Sequence, residues 1–274
     1  MTELARRPGP LSRLRVTEHD GTGEHAREDV VAAEEPLEIR IGWPGAAAQR
    51  AWVTMRTPGH DFELAAGWVV HEGLVAPGSL AGVAYCTDAD LAPEQEFNVV
   101  TVTASDPVDL QHRHAGLSSG SSACGVCGKD SIEAALTTVR GTRWTGPPPR
   151  PDVVRRLPGL LRAEQDVFSR TGGVHAAGLF SADGDRLVVR EDVGRHNAVD
   201  KVTGARVLAG DDPGSAYLVV SGRAGFELVQ KAVAAGVGTL AAVGAPTSLA
   251  VHLARGAGLG LFGFTGADRT VRYA

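Results

Sequence analysis

Two sulfur atoms stand three residues apart in Ser118-Ser119-Gly120-Ser121-Ser122-Ala123-Cys124-Gly125-Val126-Cys127-Gly128-Lys129, and they take two of the chain's 3 cysteines. Gly and Ser offer no packing surface, so the flanks are composed for mobility and access. The run from Asp130 to Val139 puts Ile132, Ala135, Leu136 and Val139 on one helical face. The thiols therefore fall at or just before a predicted helix N-terminus, which together with Lys129 favours thiolate over thiol. Three chemistries compete. Half of a structural zinc site needs two more ligands, and only Cys86 and the histidines remain. A thioredoxin-like redox pair should follow a strand, whereas a Ser/Gly-rich loop precedes this one. A carrier of transferable sulfur needs one exposed nucleophilic thiolate.

Other reactive groups cluster further on. His175 sits beside a glycine turn in Thr171-Gly172-Gly173-Val174-His175-Ala176-Ala177. Glu191-Asp192-Val193-Gly194-Arg195-His196-Asn197-Ala198-Val199-Asp200-Lys201 is denser. Its spacing predicts i, i+4 pairs His196/Asp200 and Asn197/Lys201 on a helix, either as a solvated face or as part of a site at a strand end. Ser221-Gly222-Arg223-Ala224-Gly225 and Gly244-Ala245-Pro246-Thr247-Ser248 each follow a buried strand and open a helix. Backbone N–H groups at such turns can hold an anion, and Arg223 adds charge, so the pair points to a phosphate-bearing ligand. Neither turn fits the patterns of ATP hydrolysis or NAD binding.

The elements that position these groups follow from pattern. Residues 1–35 are polar and charged and are expected to be disordered. Residues 36–115 predict a small α+β domain, a ββαββ roll: strands at Leu37–Trp43 and Ala51–Arg56, a helix at Phe62–His71, strands at Val83–Cys86 and Phe97–Thr103. Residues 116–150 hold the cysteine loop, its helix and a Pro-rich linker, Gly146 to Pro151. Residues 151–274 predict a mixed sheet with helices on its faces. Its strands lie at Ala177–Phe180, Arg186–Arg190, Tyr217–Val220, Leu240–Val243 and Leu259–Phe264, and its helices at Val193–Leu208, Gly225–Ala235 and Thr247–Arg255.

Bulk properties set limits. Hydrophobic residues make up 43% of 274 and aromatic ones 5%, so the cores rest on Val, Leu and Ala. A net charge of −5 argues against a general nucleic-acid or anionic-membrane partner. No apolar run of ~20 residues and no signal peptide is present. An odd, small number of cysteines fits a reducing cytoplasm. The 3 lysines, Lys129, Lys201 and Lys231, all lie in or beside the motifs.

Taken in order, the Cys124–Lys129, Thr171–Ala177, Glu191–Lys201, Ser221–Arg223 and Gly244–Ser248 motifs resemble the FdhD family of sulfur carriers that serve formate dehydrogenase. Thr57 to Gly67 and Glu72-Gly73 fit that family's N-terminal part. The resemblance implies that a cysteine desulfurase passes sulfane sulfur to Cys124 as a persulfide. The sulfur then goes to the molybdenum of a bis-molybdopterin guanine dinucleotide cofactor. Cys127 would relay the sulfur, release it by forming a disulfide with Cys124, or tune the thiolate. The resemblance places cofactor contacts in a C-terminal segment, here Phe262, Gly263, Phe264, Thr265, Gly266 and Ala267; Thr265 stands where the family often has Arg. With the anion turns, the site reading takes in Ser221, Gly222, Arg223, His175 and His196, and no metal. The resemblance also implies a cytidine-deaminase-like second half, cytoplasmic location and room for a homodimer. The rival from that fold, a zinc nucleoside deaminase, lacks its chemistry: Ala176 and Ala177 follow His175, so the His-x-Glu acid is missing, and Ala123 replaces the proline before the cysteines. A second rival is a cofactor-binding chaperone that needs no Cys124.

Overall fold

The computed structural model describes residues 7–87, 91–92, 96–110 and 144–274. Cys124, Cys127 and the predicted helix from Asp130 lie outside the described residues.

The first unit is the expected roll. Strands β3 (Glu35–Trp43) and β4 (Ala46–Arg56) form a hairpin, helix α1 (Asp61–His71) follows, and β5 (Leu80–Tyr85) and β6 (Val99–Ala104) complete a sheet of order β4-β3-β6-β5. β3 runs antiparallel to β4 and parallel to β6. Alternation in β3 turns Leu37, Ile39 and Ile41 inward against Leu64, Ala65, Trp68 and Val69 of α1, and all seven are buried. Trp68 stacks on Trp52 at 4.9 Å between ring centroids, adding rigid apolar area on that face.

The segment before it is not disordered. Leu11–Asp20 (β1) and Gly23–Ala32 (β2) pair over their full length as a two-stranded antiparallel sheet of their own. Composition misleads here because most hairpin side chains are exposed and polar. Cross-strand pairing and ion pairs such as Arg27 with Glu18 (2.8 Å) hold it instead of a core.

The second unit is a six-stranded sheet of order β12-β11-β10-β9-β7-β8, whose members are β7 (His175–Phe180), β8 (Arg186–Asp192), β9 (Tyr217–Val220), β10 (Thr239–Ala242), β11 (Gly260–Gly263) and β12 (Val271–Arg272). β9, β10 and β11 are parallel; β7 and β8 run against their neighbours as a hairpin. Leu218 and Val220 of β9 face one core with helices α4 (Arg195–Leu208), α5 (Phe226–Ala234) and α6 (Ser248–Ala257). Tyr217 and Val219 face another core, with Val153, Val154, Leu157 and Leu161 of α2 (Pro151–Ala163). A short helix, α3 (Asp166–Thr171), follows α2. The Pro-rich run read as a linker thus delivers Pro151 to the first turn of a helix, where a missing N–H costs nothing. Among the described residues no helix is long and apolar enough to cross a membrane.

The two units meet where α1 crosses α4. Gly67 and Gly204 lie at the crossing: a Cβ on Gly67 would run into the Asp200 carbonyl, and one on Gly204 into the Glu63 carbonyl. Two glycines facing each other let the backbones touch.

Candidate functional site

Topology gathers the motifs on one edge of the six-stranded sheet. β9, β10 and β11 end there, antiparallel β7 begins there with His175, and β8 ends there with Asp192 paired to His175. The carboxyl ends of parallel strands are where open sheets of this kind keep their ligands. Ser221–Arg223, Val243–Thr247 and Phe264–Ala267 lead away from the three parallel strands.

These turns are stitched to one another. Ser221 N–H donates to the Ala176 carbonyl (3.0 Å) and the Ser221 hydroxyl accepts from Ala176 N–H (2.9 Å). Gly244 N–H donates to Gly222 (2.9 Å), Ala224 N–H to Ala245 (3.2 Å), Thr247 N–H to Ala224 (3.1 Å) and Phe264 N–H to Gly244 (3.0 Å). Thr247 also caps its own helix, accepting from Ala250 N–H at 3.3 Å. The anion-holding geometry expected of the second turn is therefore absent at Gly244 and Thr247, whose N–H groups are engaged. At the other turn the N–H groups of Gly225 and the first residues of α5 meet no acceptor among the described residues, and exposed Arg223 beside them has no polar partner among those residues. The Arg223 side chain lies over Gly244, with its Cγ 3.0 Å from where a Cβ would stand.

His175 is half-buried against the first turn, and a Cβ on Gly222 would come within 3.4 Å of its Nδ1. Burial lowers its pKa, and the charges of Arg195 and His196 lower it further. His175 and His196 therefore share one electrostatic neighbourhood at this edge. His196 is held by Glu227, a residue the sequence motifs passed over; its only signal is an acid in the first turn of α5. Nε2 of His196 stands 2.7 Å from Glu227 Oε2, outside the angle of a hydrogen bond, a contact that becomes an ion pair when the imidazole is protonated. The same contact holds the Glu227 carboxyl below the usual range, against its partial burial. What the edge offers is a neutral imidazole, a His–Glu pair, free N–H groups and an unpaired guanidinium, a set suited to an anionic ligand.

The C-terminal segment divides. Phe262 is 1% exposed and belongs to the core with α2, so its side chain cannot meet a ligand at the edge. Gly263 is packed against Pro246 and the Gly244 carbonyl. Thr265 is buried with its hydroxyl 3.0 Å from that of Thr270. Phe264 stands out instead: 41% exposed, with φ of 49°, a left-handed conformation rare for a bulky residue and found mostly where surroundings enforce it. The Arg269 guanidinium lies over its ring, 5.2 Å from the centroid. Gly266 and Ala267 continue this ridge at the surface.

The Glu191–Lys201 motif has a second task. Its predicted i, i+4 pairs do not form, because α4 is buried on several sides and its polar groups reach other elements. Lys201 Nζ is 2.7 Å from Asp192 Oδ2 and donates to the Thr57 carbonyl at 2.9 Å. Asp192 also accepts from Thr57 N–H (3.2 Å), Gly194 N–H (2.8 Å) and Asn197 Nδ2 (3.0 Å). Asn197 donates to the Met55 carbonyl as well (2.8 Å). Asp200 takes His71 Nδ1 and Lys231 Nζ, both at 2.6 Å. Burial pushes His71 down, towards the neutral form. Burial works to raise Asp200, but Lys231 and His71 outweigh it and hold the carboxyl ionised. Glu191 anchors α3 by accepting from Val167 and Phe168 N–H, each at 2.8 Å. Asp192, Asn197, Asp200 and Lys201 thus form a seam between the units, while Arg195 and His196 face the edge. Among the described residues no three His, Cys, Asp or Glu side chains form a metal-ligand cluster.

Comparison with known proteins bears on this arrangement. The family model for the FdhD/NarQ family matches residues 32–274. The sulfur carrier protein FdhD of Streptomyces avermitilis is 49% identical over 246 residues, covering 87% of this chain and 84% of that protein. That of Nocardia farcinica is 47% identical over 256 residues, covering 92% and 89%. A crystal structure of a Desulfotalea psychrophila protein, assigned as a formate dehydrogenase accessory protein, superposes with a TM-score of 0.70 at 20% identity, covering 96% of each chain, and so shares the fold. On the residues matched and the identities found, the chain belongs to the FdhD/NarQ family.

Proposed function

We propose that this protein is a cytoplasmic sulfurtransferase that loads sulfur on Cys124 and delivers it to a molybdenum cofactor destined for formate dehydrogenase. The carrying observation is the Cys124-Gly125-Val126-Cys127 pair within a chain nearly half identical to proteins named sulfur carriers. Loading is an exchange without net oxidation. The Cys124 thiolate attacks the sulfane sulfur of a cysteine desulfurase persulfide, the desulfurase thiolate leaves, and a Cys124 persulfide remains. Attack of the Cys127 thiolate on the Cys124 sulfur of that persulfide then releases hydrosulfide and leaves a Cys124–Cys127 disulfide. The two cysteines supply both electrons, and a thiol reductant resets the pair.

The recipient, bis-molybdopterin guanine dinucleotide, is polyanionic. The sheet edge supports that reading through Arg223, the free N–H groups at Gly225 and α5, His175, and the Phe264–Ala267 ridge. Arg223 presents a fork that matches phosphate oxygens. The test is the intact mass of the full chain after incubation with a cysteine desulfurase and cysteine. A gain of one sulfur, removed by reductant and absent in Cys124→Ala, is the expected result; Cys124→Ala should also fail to activate formate dehydrogenase. Full activation by that variant would leave only the chaperone reading.

A further inference from the structure

We propose that Glu227 is a positioning residue for an anion bound at the sheet edge: it holds one ring nitrogen of His196 so that the other, Nδ1, meets the ligand. The inference rests on the reading of the edge as the anion-binding part of the proposed function.

Glu227 belongs to a ladder of charge between two helices. His196 and Asp200 stand four residues apart on α4, and Glu227 and Lys231 four apart on α5. Across the gap, Glu227 Oε2 lies 2.7 Å from His196 Nε2, and Lys231 Nζ lies 2.6 Å from Asp200 Oδ1. The acid is on α5 in the first rung and on α4 in the second. His71 of α1 closes the second rung, with Nδ1 2.6 Å from the same Asp200 oxygen. That rung is buried in the seam. The first opens on the edge, where the side chains of His196 and Glu227 are 27% and 33% exposed.

The ladder is costly to keep. Among the described residues four buried side-chain nitrogen or oxygen atoms lack a hydrogen-bond partner, and His196 Nε2, Asp200 Oδ2 and His71 Nε2 are three of them. Apolar side chains could join the helices without that loss, so the charge serves more than packing. Its use follows from the two nitrogens of one ring. A protonated imidazole donates through both. With the Glu227 carboxylate against Nε2, Nδ1 is left for a ligand oxygen, since it has no partner among the described residues. Which nitrogen serves a ligand is set by what the other one meets. His175 on β7 shares this neighbourhood, and Glu227 offsets the positive charge of nearby Arg195 and Lys231.

Calorimetric titration of the full chain with inorganic pyrophosphate tests this in the wild type, Arg223→Ala, Glu227→Gln, Glu227→Asp, His196→Gln and the double variant Glu227→Gln/His196→Gln. Glu227→Gln keeps size and removes charge, and should weaken binding about three- to tenfold. Glu227→Asp should recover part of that loss. In the His196→Gln background Glu227→Gln should have no further effect, because Glu227 acts through the ring. Arg223→Ala weakens binding independently. Equal or tighter binding by Glu227→Gln, or the same loss with and without His196, would overturn the role of Glu227; with the Arg223 effect intact it would leave the edge standing as an anion site. Pyrophosphate that does not bind the wild type, or binds Arg223→Ala and Glu227→Gln as it binds the wild type, would overturn the edge and the inference together.

Discussion

The seam between the units and the edge of the large sheet draw on the same eleven-residue motif and treat charge in opposite ways. In the seam, Asp192, Asp200, Lys201 and His71 are all 2% exposed or less and each is paired with an opposite or hydrogen-bonding group, His71 Nε2 and Asp200 Oδ2 being the atoms without a partner among the described residues. At the edge, His175 and His196 are half-buried and Arg223 is exposed without a partner. Buried, paired charge fixes a structure; accessible, unpaired charge waits for a ligand. A dense run of polar residues is therefore not by itself a site.

Substitutions should separate the two regions. The largest effect is expected for Asp200→Ala, which strands Lys231 and His71 in the interior. Breaking a buried charge network from one side costs about 3–5 kcal/mol, read as a fall in the urea midpoint. A loss below 1 kcal/mol would mean that the seam is not structural. Arg223→Ala should do the reverse, weakening GDP binding by about 1.5–3 kcal/mol with stability within about 0.5 kcal/mol of wild type. Equal GDP affinity in both proteins would remove Arg223 from the site.

The smallest effect is pH-dependent. Burial acts to raise Glu63, but its hydrogen bonds to Arg190, reinforced by His60, outweigh it and bring the carboxyl to about 2. A depressed carboxylate stabilises the fold above its unfolded pKa of about 4.3, and that contribution disappears as pH falls through about 2. Neutral His71 acts in the same direction at higher pH. Below about 6.5 the unfolded chain takes up a proton that the buried imidazole refuses, so stability declines. Urea midpoints followed from pH 7 to 2 should fall in both windows, and Glu63→Gln should flatten only the lower one.

Much of the fold was legible because apolar periodicity is a direct signal. Tyr217–Val220 reads as a buried strand and is one to the residue. Among the elements that escaped, the first hairpin and helix α2 did so for different reasons. The Leu11–Ala32 hairpin has almost no inward face, so composition spoke louder than alternation, although Asp20-Gly21-Thr22-Gly23 marks its turn. Helix α2 was hidden behind its prolines, while Val153, Leu157 and Leu161 carried the helical spacing all along. The edge was legible as a set of strand-end motifs. The pairing of His196 with Glu227 and the engagement of the Gly244 turn were not, since each depends on neighbours brought in from far along the chain.

The glycine crossing of α1 and α4 has a mechanical meaning. At Gly67 and Gly204 main chain bears on main chain, and the adjoining positions are Ala66 and Ala205. A slip of either helix by one residue would wedge a methyl group into the opposing backbone. The joint therefore acts as a rivet rather than a hinge. The four-stranded and six-stranded sheets are thereby held as one stiff frame, and any adjustment to a ligand has to be taken up at the rim.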